Sequence, residues 1–123
     1  MAEILGSTSV LAVNDLDASR RYYVEVLGFE EVLAVEGWSF LRRGACRLRI
    51  GHCPGARPMS DPGCMDHSWF LYLRVDDASA LFEEYRGRGV SIWHRLEDKP
   101  WGMREFAVVT PDGHRIVFGQ ELG

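Results

Sequence analysis

Residues 10–29, VLAVNDLDASRRYYVEVLGF, decide the fold, because residues 70–91, FLYLRVDDASALFEEYRGRGVS, repeat their pattern. In each, an apolar alternating run ends at a valine, Val13 or Val75. An aspartate follows, Asp15 or Asp77, whose carboxylate can accept from the orphan amides of a first helical turn. A glycine follows the last turn, where a left-handed backbone ends a helix cheaply. In the second copy Ala78, Leu81, Phe82 and Tyr85 recur at helical spacing and leave Glu83, Glu84, Arg86 and Arg88 on the wet side. Tyr22, Tyr23, Val26 and Leu27 make the apolar stripe of the first. A repeat of strand, capped turn and helix sets the plan of the chain.

Three strand-like stretches follow each helix, at about 30–35, 38–43 and 46–51, then at about 90–95, 103–109 and 115–120. Arg43-Gly44 and Pro111-Asp112-Gly113 supply the turns between the last two strands of each half. The prediction is therefore an α+β fold of tandem βαβββ modules, at about 4–52 and 67–121 of a single domain. Residues 53–66, CPGARPMSDPGCMD, hold three of the five prolines and no periodicity, and read as the linker.

The bulk properties narrow the function. A length of 123 residues with 46% hydrophobic content suffices for one packed domain without disulfides. The formal charge of -4 and a single lysine argue against a nucleic-acid partner, which is held mainly through Lys and Arg on phosphates. No apolar run approaches the roughly 20 residues of a membrane helix, so no membrane partner is expected. Cys46, Cys53 and Cys64 are odd in number and form no Cys-x-x-Cys pair, and the N-terminus shows no signal segment. Reduced thiols in a cytoplasmic protein are the expectation.

The strand-Asp-Leu-x-x-Ser-helix-Leu-Gly-Phe opening, its repeat and the closing Pro-Asp-Gly hairpin together resemble the glyoxalase, bleomycin resistance and extradiol dioxygenase superfamily, over essentially the whole chain. The likeness to its bleomycin resistance branch rests on GWSFLRRG at 37–44, SWF at 68–70 and PWGMREFAVVTPDG at 100–113, the last with Met103 inserted in its signature. The resemblance implies a curved mixed sheet around a cavity. It also implies a homodimer with a ligand groove near the interface, and sequestration of a bleomycin-type antibiotic without chemical modification. Enzymes of the superfamily hold a divalent metal at positions that correspond here to Thr8, Phe70 and Val117, with a fourth near Arg47 or Arg49. None of these is a usual ligand for a catalytic divalent ion, so no metal, no cofactor and no catalytic residue is expected. His52, His67, His94 and His114 show no metal-binding spacing, and Cys46 alternates with Leu48 and Ile50 as a core residue.

Recognition of a flat small molecule then falls to the aromatic side chains. Trp38 and Trp101 lead, each beside a turn glycine and each matching an aromatic clamp of the bleomycin resistance proteins. Tyr72 and Leu33 follow, with Phe70 on the face of Tyr72 and Gly102 letting a ligand approach the backbone. Trp69 reads as packing, and Trp93 has no counterpart in the branch. Arg49 and Arg104 join the candidate set as anion partners, and Arg47, Arg74 and Arg115 fall on nearby faces. Guanidiniums grouped there would repel a cationic drug and suit an anionic aromatic ligand, unless Glu36, Glu97, Asp98 or Glu105 pair with them. The alternatives to sequestration are thus a metal-dependent enzyme of the glyoxalase or dioxygenase type and a binding module for an anionic aromatic metabolite.

Overall fold

The computed structural model describes residues 1–58 and 69–123. The greater part of the expected linker, with Cys64, His67 and Ser68, lies outside the described residues. The chain divides into two compact units, Met1–Ala56 and Arg57–Gly123.

In the first unit β1 (Ser9–Val13) leads to α1 (Leu16–Arg21), which continues as a π-helical turn over Tyr22–Val26, then to β2 (Glu30–Val35), β3 (Trp38–Arg43) and β4 (Cys46–His52). The second unit repeats this with β5 (Leu71–Arg74), α2 (Ala78–Gly87), β6 (Ser91–Asp98), β7 (Met103–Val109) and β8 (Arg115–Glu121). The strand orders are β1-β4-β3-β2 and β5-β8-β7-β6, one topology used twice. In each, the first strand runs parallel to the last and the remaining pairs are antiparallel hairpins.

The expected curved sheet around a cavity is corrected by this pairing. The strands form two separate open four-stranded sheets, and neither is closed or strongly curled. Wrapping a cavity requires a staggered ladder continuous from edge to edge. Here each ladder stops at its own edge strands, β1 and β2 or β5 and β6.

The aspartate caps explain why the helices start where they do. Asp15 Oδ1 accepts from the Ala18 amide at 3.0 Å, and Asp77 Oδ1 from the Ala80 amide at 2.9 Å. The uniform first helix expected from periodicity instead widens at its end, where the Leu27 amide bonds the Tyr22 carbonyl at 3.0 Å, five residues back. Ser19, Tyr23 and Leu27, each four residues apart, are all buried.

Strand alternation assigns the faces. In the first unit Leu11, Val13, Leu41, Leu48 and Ile50 are buried together with Tyr23, Leu27 and Phe29. In the second, Phe106, Val108, Ile116 and Phe118 are buried with Tyr85 and Ala78 of α2. Phe106 and Phe118 stack at 5.0 Å between ring centroids, Tyr85 meets Phe118 edge-on at 5.5 Å, and Phe82 meets Phe106 at 5.4 Å. With one face of each sheet thus covered, the opposite faces carry Leu33, Trp38 and Arg49 in the first unit and Tyr72 in the second.

Candidate ligand-binding site

On the open face of the first sheet, Trp38 pairs across with Gly51, Phe40 with Arg49, and Leu33 with Phe40. Directly opposed residues point to the same side, so these side chains share one surface. The six-membered ring of Trp38 lies over Gly51 so closely that a Cβ there would come within 2.6 Å of it. Arg49 sits over the Phe40 ring at 4.7 Å and over Trp38 at 5.8 Å. Its Nε is buried and has no hydrogen-bond partner among the described residues. Leu33, 52% exposed, shares this open face with Val35 on the same edge strand and with Val10 on the opposite edge strand, β1.

The open face of the second sheet carries a hollow of about 520 Å³. Trp69, Tyr72, Trp93 and Trp101 form its walls with His94 and Lys99, and Glu105, Ala107 and Val117 line it from the sheet. Trp69 and Tyr72 lie 5.9 Å apart. Tyr72 reaches over Gly119, where a Cβ would collide with the phenol. Glu105 organises the hollow: its Oε2 accepts from the Tyr72 hydroxyl at 2.7 Å and from the Trp101 indole N–H at 3.1 Å. Desolvation, the hydrogen bond to Glu105 and the charges of Glu105 and Glu121 all push the Tyr72 phenol well above its ordinary pKa. Tyr72 therefore remains a neutral donor at physiological pH.

Trp101 stands on a tight turn in which the Gly102 amide bonds the Lys99 carbonyl at 3.1 Å. The φ of +81° at Gly102 is the left-handed conformation that glycine adopts without strain. Despite its bond to Glu105, Trp101 is 64% exposed, a large flat surface held in place without being covered.

Gly119 and Gly51 occupy equivalent strand positions in the two units, each with an aromatic ring laid on it. Gly119→Ala is expected to drive Tyr72 off the sheet and out of its bond with Glu105. A loss of about 1–3 kcal/mol in urea denaturation, typical of overpacking, is the expected result. An unchanged midpoint would mean that the phenol does not depend on that close approach.

The candidate residues thus separate into two groups. Leu33, Trp38 and Arg49 share the first surface, while Tyr72, Trp101 and Gly102 belong to the second. Phe70 lies just before β5 and packs edge-on to His114 at 5.7 Å rather than joining the wall of the hollow. Arg104 alternates with Phe106 on the helix-covered side, where it bonds Asp98 at 2.7 and 3.2 Å and Ser79 Oγ at 3.4 Å. Arg74 and Arg115 are also engaged: Arg74 pairs with Glu121 at 3.0 Å and Arg115 lies over Trp93 at 4.3 Å. Sequence reasoning missed Trp69, Trp93 and Glu105. The signal for Glu105 was its alternation with Met103 and Ala107, opposite in phase to Phe106.

The positions corresponding to the superfamily's metal ligands do not fit a metal. Phe70 and Val117 have no donor atom, and Thr8 has only a hydroxyl. Among the described residues no three His, Cys, Asp or Glu side chains are grouped so as to hold an ion. Burial pushes the Cys46 thiol pKa up, which disfavours the nucleophilic thiolate.

Residues 5–118 match the model of the Glyoxalase/Bleomycin resistance protein/Dioxygenase superfamily. The chain belongs to that superfamily. Within it, the chain is 25% identical to a bleomycin resistance protein of Geobacillus stearothermophilus, covering 97% of this chain and 98% of the relative. It superposes with a TM-score of 0.73 on the bleomycin-binding protein of bleomycin-producing Streptomyces verticillus, solved with copper(II)-bleomycin, at 30% identity over 96% of this chain and 97% of that one. The bleomycin resistance determinant encoded on transposon Tn5 gives a TM-score of 0.77 and 30% identity, over 94% and 96% of the two chains. At Thr8, Phe70 and Val117 this superfamily member does not carry the donor set on which the superfamily's metal enzymes depend.

Proposed function

We propose that this superfamily member binds a bleomycin-type glycopeptide antibiotic and sequesters it unchanged, conferring resistance. The observation that carries this reading is the aromatic hollow around Trp101, prearranged by Glu105 and lined by Val117, one of the positions at which the superfamily's enzymes would need a metal donor. Flat rings stacked on fixed indoles bury large area at little rotamer cost, which suits capture rather than turnover. The bleomycin-binding and resistance proteins among its relatives support the same reading. A homodimer forms part of the proposal, supported by the exposed Val10, Leu33, Val35 and Trp38 on the first open face. A cytoplasmic location is also proposed, on the free thiols of Cys46 and Cys53. No helix among the described residues is long and apolar enough to cross a membrane.

One observation favours a second reading. The buried, unpartnered Nε of Arg49 suits an acceptor on an anionic aromatic ligand. A single experiment separates the two: tryptophan fluorescence is titrated with metal-free bleomycin and, in parallel, with an anionic aromatic such as naphthalene sulfonate. Stoichiometric quenching by bleomycin alone supports sequestration, and a response to the anion alone moves the function to Arg49.

A further inference from the structure

The charge on the ligand follows from how the hollow of the second unit disposes of its own charged groups. Lys99 is held by Glu97 at 3.5 Å, with the Trp101 ring 5.9 Å away. Arg115 lies against the Trp93 face, and the His94 ring sits 4.4 Å from that of Trp93. Glu121, on the same sheet face, is taken by Arg74. Glu105 differs from all of these. Both donors it receives, the Tyr72 hydroxyl and the Trp101 indole N–H, are neutral, and both converge on Oε2. Among the described residues no cation is in direct contact to compensate its negative charge, and Oε1 receives no donor. An uncompensated carboxylate half removed from water, walled by indole and phenol rings, favours a cation twice over. The carboxylate offers a charge-assisted hydrogen bond, and the ring faces offer their negative quadrupoles.

We propose that Glu105 is the specificity-determining residue of this hollow, and that its ligand presents a protonated nitrogen at the edge of a flat ring stacked on Trp101. The inference rests on reading the hollow as the ligand site. Glu105 then has two tasks, divided between its oxygens. Oε2 fixes Tyr72 and Trp101 in place, and Oε1 accepts the ligand's N–H. The arginines that would have opposed such a ligand are already engaged, Arg104 on the helix-covered side with Asp98 and Arg74 with Glu121.

The test uses two flat probes of nearly equal size, 9-aminoacridine, which is a cation at neutral pH, and acridine, which is largely neutral there. Binding of each to the wild-type protein and to Glu105→Gln is measured by calorimetry at one fixed ionic strength. Gln keeps an acceptor for Tyr72 and Trp101 and removes only the charge. The wild type is expected to prefer the cation by about tenfold, the scale of one charge-assisted hydrogen bond, and Glu105→Gln to bring the ratio close to one. Equal affinities in the wild type, no binding of either probe, or a preference that survives in Glu105→Gln would each overturn the proposal. The wild-type ratio needs no variant and so does not depend on the folding of Glu105→Gln. Titration of the same wild-type protein with bleomycin distinguishes the two levels of reading. A cation preference without bleomycin binding removes the drug and leaves the site, whereas bleomycin binding without a cation preference removes the role of Glu105.

Discussion

Replacing Trp101 by alanine is expected to weaken binding of metal-free bleomycin by about ten- to a hundredfold, the roughly 1–3 kcal/mol of one stacked aromatic ring. The fold should not notice the change. The indole is 64% exposed, stands on a surface turn and is held by a side-chain hydrogen bond to Glu105, so its removal uncovers no core. Fluorescence titration and thermal unfolding of the same preparation read both quantities. Unfolding of the variant would place Trp101 in the structural core, and unchanged affinity would remove it from the binding surface.

Phe106→Ala should do the reverse. Phe106 is five residues further along, 1% exposed, stacked on Phe118 and edge-on to Phe82 and Tyr85. Truncating a buried phenylalanine in such a cluster costs about 3–5 kcal/mol, through lost transfer energy and the cavity left behind. Small domains have about 5–15 kcal/mol in total, so urea denaturation should show a large fall in midpoint with an unchanged slope. A loss below about 1 kcal/mol would mean that Phe82, Tyr85 and Phe118 collapse into the gap.

The contrast between Trp101 and Phe106 shows what could be read from the sequence. Period-two alternation through β7, MREFAVV, separates Phe106 and Val108 from Glu105 and Ala107, and the repeated Asp caps date the start of both helices. Local rules of this kind gave the βαβββ order of both halves and strand limits close to those observed. Closure of the sheets was not legible, because alternation assigns faces and says nothing about which edges pair. Nor was the setting of Trp93, since β6 shifts register between Ile92 and His94 and again between His94 and Glu97. Each bulge resets the alternation.

Non-local partners account for the rest. Arg104 could be counted among possible anion partners, but its engagement with Asp98 depends on the β6–β7 register. Glu105 could be considered as a partner for arginine. Its actual donors come from β5 and from the turn before β7, 33 and 4 residues away in sequence. Trp69 precedes the first residue of β5, where strand parity no longer governs direction, and it joins the wall of the hollow rather than the packing under a helix. The aromatic content announced a binding protein, while the identity of the carboxylate that arranges it required the fold.

Sequestration differs from catalysis in what becomes of the ligand, and that can be measured directly. Bleomycin is incubated with an equal concentration of the protein, the complex is isolated by size exclusion, the protein is denatured, and the released drug is weighed by mass spectrometry. The account predicts co-elution in fixed stoichiometry and a drug of unaltered mass that regains its full DNA-cleaving activity. Failure to co-elute, or release of a drug with an altered mass, would contradict it.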